Sequence, residues 1–161
     1  MIYYIVKTKY RGVKMSIEKV KEYFAEYGRE DDILEFDKSS ATVELAAQAA
    51  NVIPARIAKT LSFKNKEGDN AILVVVAGDA KIDNKKYKSE FATKAKMLTP
   101  EEVIKYIGHA IGGVCPFAIE NKGVKVFLDI SMKRFNTVFP ACGSSKSLPF
   151  DFCRKKKQIL N

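Results

Sequence analysis

The sequence predicts a mixed-sheet α/β (α+β) domain, and three observations carry that reading. Residues 71–77 are the unbroken apolar run Ala-Ile-Leu-Val-Val-Val-Ala. Such a run, rich in β-branched residues, fits a central strand covered on both faces. Thr99-Pro100-Glu101-Glu102 is a helix start, with a capping box and a proline at the first helical position. Strand and helix patterns then interleave irregularly along the chain, as they do where helices cover a sheet of mixed direction.

Taken in order, the first helix starts at Ser16, a good N-cap, with Glu18 favourable in its first turn. Ile17, Val20, Phe24 and Tyr27 recur at helical spacing, and Gly28 stops the pattern. Ile33-Leu34-Glu35-Phe36 reads as a short strand. Residues 39–42 offer caps for a second helix bearing Val43, Ala46, Ala47 and Ala50, small enough to pack closely on a neighbour. Residues 54–58 form one helical turn that delivers the chain into Lys59-Thr60-Leu61-Ser62-Phe63. That strand alternates, so Lys59, Leu61 and Phe63 share a face. An inward lysine needs a partner or a ligand, unless it snorkels to the rim.

Residues 65–70 make a turn into the central strand, which Gly78-Asp79 ends. A short basic helix is expected over 84–91 and a strand over 94–98. The capped helix then runs to Tyr106 or Ile107. Residues 123–130 and 136–141 read as two further strands joined by a turn at 131–134. Residues 148–150 add a short strand before a terminal helix.

The chain has 161 residues, enough for one domain with a sizeable core, and residues 1–14 read as an N-terminal appendage to a single domain over 15–161. Its 47% hydrophobic and 29% charged residues describe an ordinary soluble protein. No apolar run approaches the roughly 18 residues of a membrane span, and no leader suited to secretion is apparent. A cytoplasmic location and no membrane partner are expected. Cys115, Cys142 and Cys153 lack metal-ligand spacing, and the chain has one histidine, so neither a metal nor another cofactor is expected. The net charge of +9 sits at the ends: Lys7, Lys9, Arg11 and Lys14 lie in the first segment, and Arg154, Lys155, Lys156 and Lys157 in the last. The body keeps about +1, so strong phosphate binding cannot be assumed for it.

The chain is organised around Ile107-Gly108-His109-Ala110-Ile111-Gly112-Gly113-Val114-Cys115-Pro116-Phe117. Gly112 and Gly113 permit positive φ and close approach of backbone N–H groups to another molecule. Pro116 stiffens the exit. The result is a loop able to grip a carbonyl or phosphate oxygen, or simply a tight turn from helix to strand.

These pieces in this order resemble a known family. They are Ile-Ala-Lys-Thr-Leu-x-Phe at 57–63, Ala77-Gly78-Asp79, the capped Thr-Pro-Glu-Glu-Val helix, Gly108-His109-x-x-Gly112-Gly113-Val114-Cys115-Pro116-Phe117, Phe127-Leu128-Asp129-Ile130-Ser131 and Ala141-Cys142-Gly143. The set is similar to the YbaK/ProX group of trans-acting aminoacyl-tRNA deacylases, related to the editing insertion of bacterial prolyl-tRNA synthetases. It spans residues 16–150. The resemblance implies a compact, barrel-like mixed sheet wrapped by helices. It also implies hydrolysis of the ester on a mischarged tRNA, such as tRNA(Pro) carrying Cys, Ala or another small amino acid, with prolyl-tRNA synthetase as a partner to test. It places the catalytic lysine at Lys59 and the G-x-x-x-P substrate loop at residues 112–116. Gly112 then belongs to catalysis, and His109, Gly113, Val114, Cys115, Pro116, Asp129, Ala141 and Gly143 border the substrate. Relatives often carry a serine in the tract around Ala141-Cys142-Gly143, which leaves pocket selectivity open.

Two other readings use the same residues. A non-catalytic module could bind a tRNA end or nucleotide in the same pocket without turnover. A thiol hydrolase would pair Cys115 with His109, although such pairs usually come from distant segments. Asp129 is read either as a pocket carboxylate or as the cap of a turn.

Overall fold

The computed structural model describes residues 2–4, 16–37 and 40–149. Its strands are β1 (Ile2–Tyr4), β2 (Ile33–Glu35), β3 (Ile57–Lys64), β4 (Ala71–Ala77), β5 (Lys125–Leu128), β6 (Phe139–Pro140) and β7 (Ser147–Pro149). Its helices are α1 (Ser16–Ala25), α2 (Val43–Ala50), α3 (Asn84–Phe91) and α4 (Pro100–Ile107). Five strands form one mixed sheet in the order β1-β5-β4-β3-β6, and β2 pairs with β7 in a separate ladder. The large sheet curls as a half-barrel. The expected α+β architecture is the one observed.

β4 is the reason the sheet holds. All seven of its residues are buried, and its alternation divides them between two cores. Leu73, Val75 and Ala77 face the larger cluster with Val20 and Phe24 of α1, Val103 and Ile107 of α4, and Phe117. Ile72, Val74 and Val76 face Phe63 and Tyr87 of α3. Burying each such side chain contributes about 1.5–3 kcal/mol. β3 runs antiparallel to β4 in register from Ala58↔Ala77 to Lys64↔Ala71. β5 runs parallel to β4, and β6 runs parallel to β3. β1 runs antiparallel to β5, with Tyr3 opposite Phe127.

Several local expectations are met for the expected chemical reasons. Thr42 caps α2 by accepting from the Leu45 amide. Thr99 and Glu102 form the complete capping box of α4, and Gly108 closes that helix at φ +78°. Three expectations need correction. Residues 94–98 are not a strand: only Met97 bridges Phe63, flanked by Lys64 N–H to Lys96 and Leu98 N–H to Ser62 at 2.9 and 3.0 Å. The strand expected over 136–141 contracts to Phe139–Pro140, because only Ile57 and Ala58 pair with it. The strand expected over 123–130 contracts to Lys125–Leu128, and the turn expected at 131–134 is a 3₁₀ turn that already begins at Ile130. The terminal helix, the cap at Ser39, Cys153 and the basic residues 154–157 lie outside the described residues.

Candidate functional site

The start of β3, the glycine loop after α4 and the start of α2 meet around a cavity of about 220 Å³. Its inner wall is buried and apolar, with Ala46, Ile57, Ala58 and Leu148 each at most 4% exposed. Lys59, Thr60, Gly112, Val114 and Ala141 also line it. Its rim carries Met97 and Ile111, 52% and 61% exposed. Four of the residues singled out by sequence therefore share one cavity: Lys59, Gly112, Val114 and Ala141.

Lys59 is half-buried, and its Nζ donates to the Gly78 carbonyl at 3.0 Å. An ammonium has three donors, so this bond orients the group and leaves two N–H bonds uncommitted to that carbonyl. Gly78 is required there, since a Cβ would sit 2.1 Å from the Pro54 carbonyl oxygen and 2.7 Å from Val43 Cγ1. Next along the chain, Asp79 pairs with Arg134, whose Nη1 donates at 3.0 Å. That hydrogen bond is the main reason the Asp79 carboxyl lies below its ordinary range.

The loop is fixed from behind. Gly112 has φ +86°, and a Cβ on it would lie 3.2 Å from Ser145 Cβ and 3.3 Å from Ala41 Cβ. A Cβ on Gly113 would lie 2.6 Å from the Gly143 carbonyl carbon and the Ser144 nitrogen. The Gly113 carbonyl accepts the Gly143 amide at 3.1 Å, and the Gly113 amide donates to Ala110 at 3.0 Å. Gly143 is thereby a buckle for the loop, held behind the cavity wall. Among the described residues, the amides of Gly112, Val114 and Cys115 find no backbone acceptor. Two of these residues, Gly112 and Val114, line the cavity.

His109, Cys115 and Pro116 point the other way, into the core. His109 is 1% exposed and Cys115 fully buried; Pro116 is also buried. His109 Nε2 lies 2.8 Å from the Phe117 carbonyl and 3.5 Å from Cys115 Sγ. A carbonyl only accepts, so Nε2 carries the hydrogen and cannot take the thiol's proton. Burial lowers the His109 pKa and pushes the Cys115 thiol up to about 12. This pair is a neutral brace under the loop. Asp129 lies apart from the cavity: its Oδ1 accepts the Ser131 amide at 2.8 Å, capping the 3₁₀ turn. It borders a separate groove of about 710 Å³ with Lys86 and Arg134.

Sequence reasoning overlooked the α2 side of the cavity, where Ser40, Ala41, Thr42 and Val43 form the wall facing Gly112. The small residues of this helix were the available signal. It also overlooked Thr60, whose Oγ1 is buried and, among the described residues, without a hydrogen-bond partner.

Comparison with known proteins places this geometry. A family model described as an aminoacyl-tRNA editing domain matches residues 37–150. An uncharacterised protein of Bacillus subtilis, YwhH, is 56% identical over 133 residues, 83% of each chain. The proline–tRNA ligase of Thermotoga sp. strain RQ2 is 31% identical over 119 residues, 70% of this chain but 20% of the ligase. A crystal structure of a candidate trans-editing enzyme for prolyl tRNA synthetase superposes with a TM-score of 0.73 at 29% identity. That match covers 85% of this chain and 86% of the other.

Proposed function

Because the chain belongs to the aminoacyl-tRNA editing domain family, we propose that it is a trans-acting deacylase. It hydrolyses the ester between a mischarged amino acid and the tRNA 3′ end, with tRNA(Pro) carrying a small amino acid as the first candidate. The observation that carries this reading is the cavity shared by Lys59, Gly112 and Val114.

In the proposed reaction, water attacks the ester carbonyl carbon and its electron pair forms the new C–O bond. The carbonyl π electrons move to oxygen, giving a tetrahedral oxyanion. The amides of Gly112 and Val114 stabilise that charge, and Lys59 holds the substrate beside it. Collapse breaks the bond to the ribose oxygen, which takes up the proton released by the attacking water and leaves as the free hydroxyl. The products are the free amino acid and uncharged tRNA. Donors fixed before the reaction suit this task because they need no reorganisation as charge develops. The buckle between Gly113 and Gly143 supplies that rigidity. A cavity of about 220 Å³ walled by alanines, Ile57 and Leu148 favours a small aminoacyl group.

The burial of Cys115 and the contact of His109 Nε2 with the Phe117 carbonyl argue against a thiol nucleophile. The test of the deacylase reading is a panel of tRNAs charged with Cys, Ala, Ser, Thr or Pro, incubated with the protein with and without prolyl-tRNA synthetase. Release of a non-cognate amino acid supports it. Binding without release from any of them leaves the non-catalytic module.

A further inference from the structure

Met97 and Ile111 are large apolar side chains, 52% and 61% exposed, and both line the cavity whose inner wall is buried. They therefore mark its mouth. Isolated exposed apolar residues are ordinary; two of them on the rim of one cavity are a patch with a position.

The backbone at each is held in spite of the side chain's exposure. Met97 bridges Phe63, and the peptide groups on either side of it bond to the edge of β3, Lys64 N–H to Lys96 and Leu98 N–H to Ser62. Ile111 stands between Ala110, whose carbonyl accepts the Gly113 amide, and Gly112, whose φ of +86° fixes the turn. The backbone that presents them is thus fixed.

We infer that Met97 and Ile111 form an apolar platform for the purine base of the terminal nucleotide of the substrate. The inference rests on the deacylase reading of the cavity. With an aminoacyl group inside about 220 Å³, the ribose lies at the opening and its base must rest outside. An adenine face is apolar and polarizable, and a thioether packs well against aromatic rings. Ile111 adds an aliphatic surface on the loop that grips the ester. The platform reads the base by its face, so it recognises a terminal purine without reading the rest of the tRNA.

The test uses stable amides, which bind without being hydrolysed: 3′-alanylamido-3′-deoxyadenosine and its counterpart lacking the base. Binding is followed by NMR titration for wild type, Met97→Ala and Ile111→Ala, with melting curves as a folding control. Wild type should prefer the adenosine amide by about 10-fold or more, and each variant should lose most of that preference. Equal binding of the two amides by wild type would overturn the inference, as would a preference that survives both substitutions or no binding at all. Hydrolysis is scored separately on alanyl-tRNA. A base preference that collapses in the variants, with no hydrolysis by wild type, would keep the platform and remove the deacylase.

Discussion

The Lys59 ammonium donates to the carbonyl of Gly78 at 3.0 Å, across the ends of the two longest strands. That bond explains how a cation sits half-buried at a strand start, and it makes Gly78 a support for the site. Gly78→Ala would drive a methyl group into the Pro54 carbonyl, 2.1 Å away. A loss of about 1–3 kcal/mol of stability is expected from such overpacking. Chemical denaturation would measure it, and a variant as stable as wild type would contradict the packing described around Lys59.

Gly112 and Cys115 separate the two mechanisms. Gly112→Ala places a Cβ at φ +86° and within 3.3 Å of Ser145 and Ala41. If the loop amides hold the oxyanion, displacing one donor should cost about 10²–10³ in rate, with modest loss of stability. Cys115→Ala keeps its amide and should change turnover little. An active Gly112→Ala beside a dead Cys115→Ala would revive a thiol mechanism.

The buried imidazole predicts a pH effect on stability. Burial holds the His109 pKa below its ordinary value, so the folded chain keeps it neutral where the unfolded chain takes up a proton. The unfolded state then binds more protons below about pH 6.5, and stability falls as the pH drops through that value. The slope reaches at most about 1.4 kcal/mol per pH unit. With one histidine in the chain, His109→Asn should flatten stability between about pH 5 and 6.5. An unchanged slope in the variant would contradict a buried neutral ring.

Much of the fold was legible because local chemistry and tertiary packing agree. The run 71–77 is β4 to the residue, and Asp83 and Thr99 cap helices at Asn84 and Pro100. The errors fall where a strand needs a distant partner. Residues 94–98 have strand composition but form a single bridge to β3, at Met97 and Phe63, and the strand expected over 136–141 keeps only the two residues that pair with Ile57 and Ala58. The loop and Lys59 stood out through glycine spacing and strand phase. The direction of His109 and Cys115, into the core, is set by Phe117 turning inward against Phe24 at 5.0 Å between ring centroids. The small residues of α2 were legible too, but their place in the cavity wall, beside the Ala41 that stands opposite Gly112, is a product of packing.

Residues 1–14 are proposed to be an appendage. β1 pairs only with β5 at the sheet edge, and β5 is also paired with β4, so deleting 1–14 should leave folding and turnover intact. A large drop in melting temperature or in activity would make the segment part of the domain. Replacing Arg154, Lys155, Lys156 and Lys157 by alanine tests the tail: weaker tRNA binding with a shallower salt dependence would assign it to phosphate contact.

The most direct measurement is single-turnover hydrolysis of whichever mischarged tRNA the panel identifies, by wild type and Lys59→Ala at saturating protein. A lysine that holds the substrate at the loop predicts a rate lower by about 10² or more in the variant, with circular dichroism and melting close to wild type. Equal rates for the two proteins would contradict the account, because the residue at the centre of the proposed site would then have no part in the reaction.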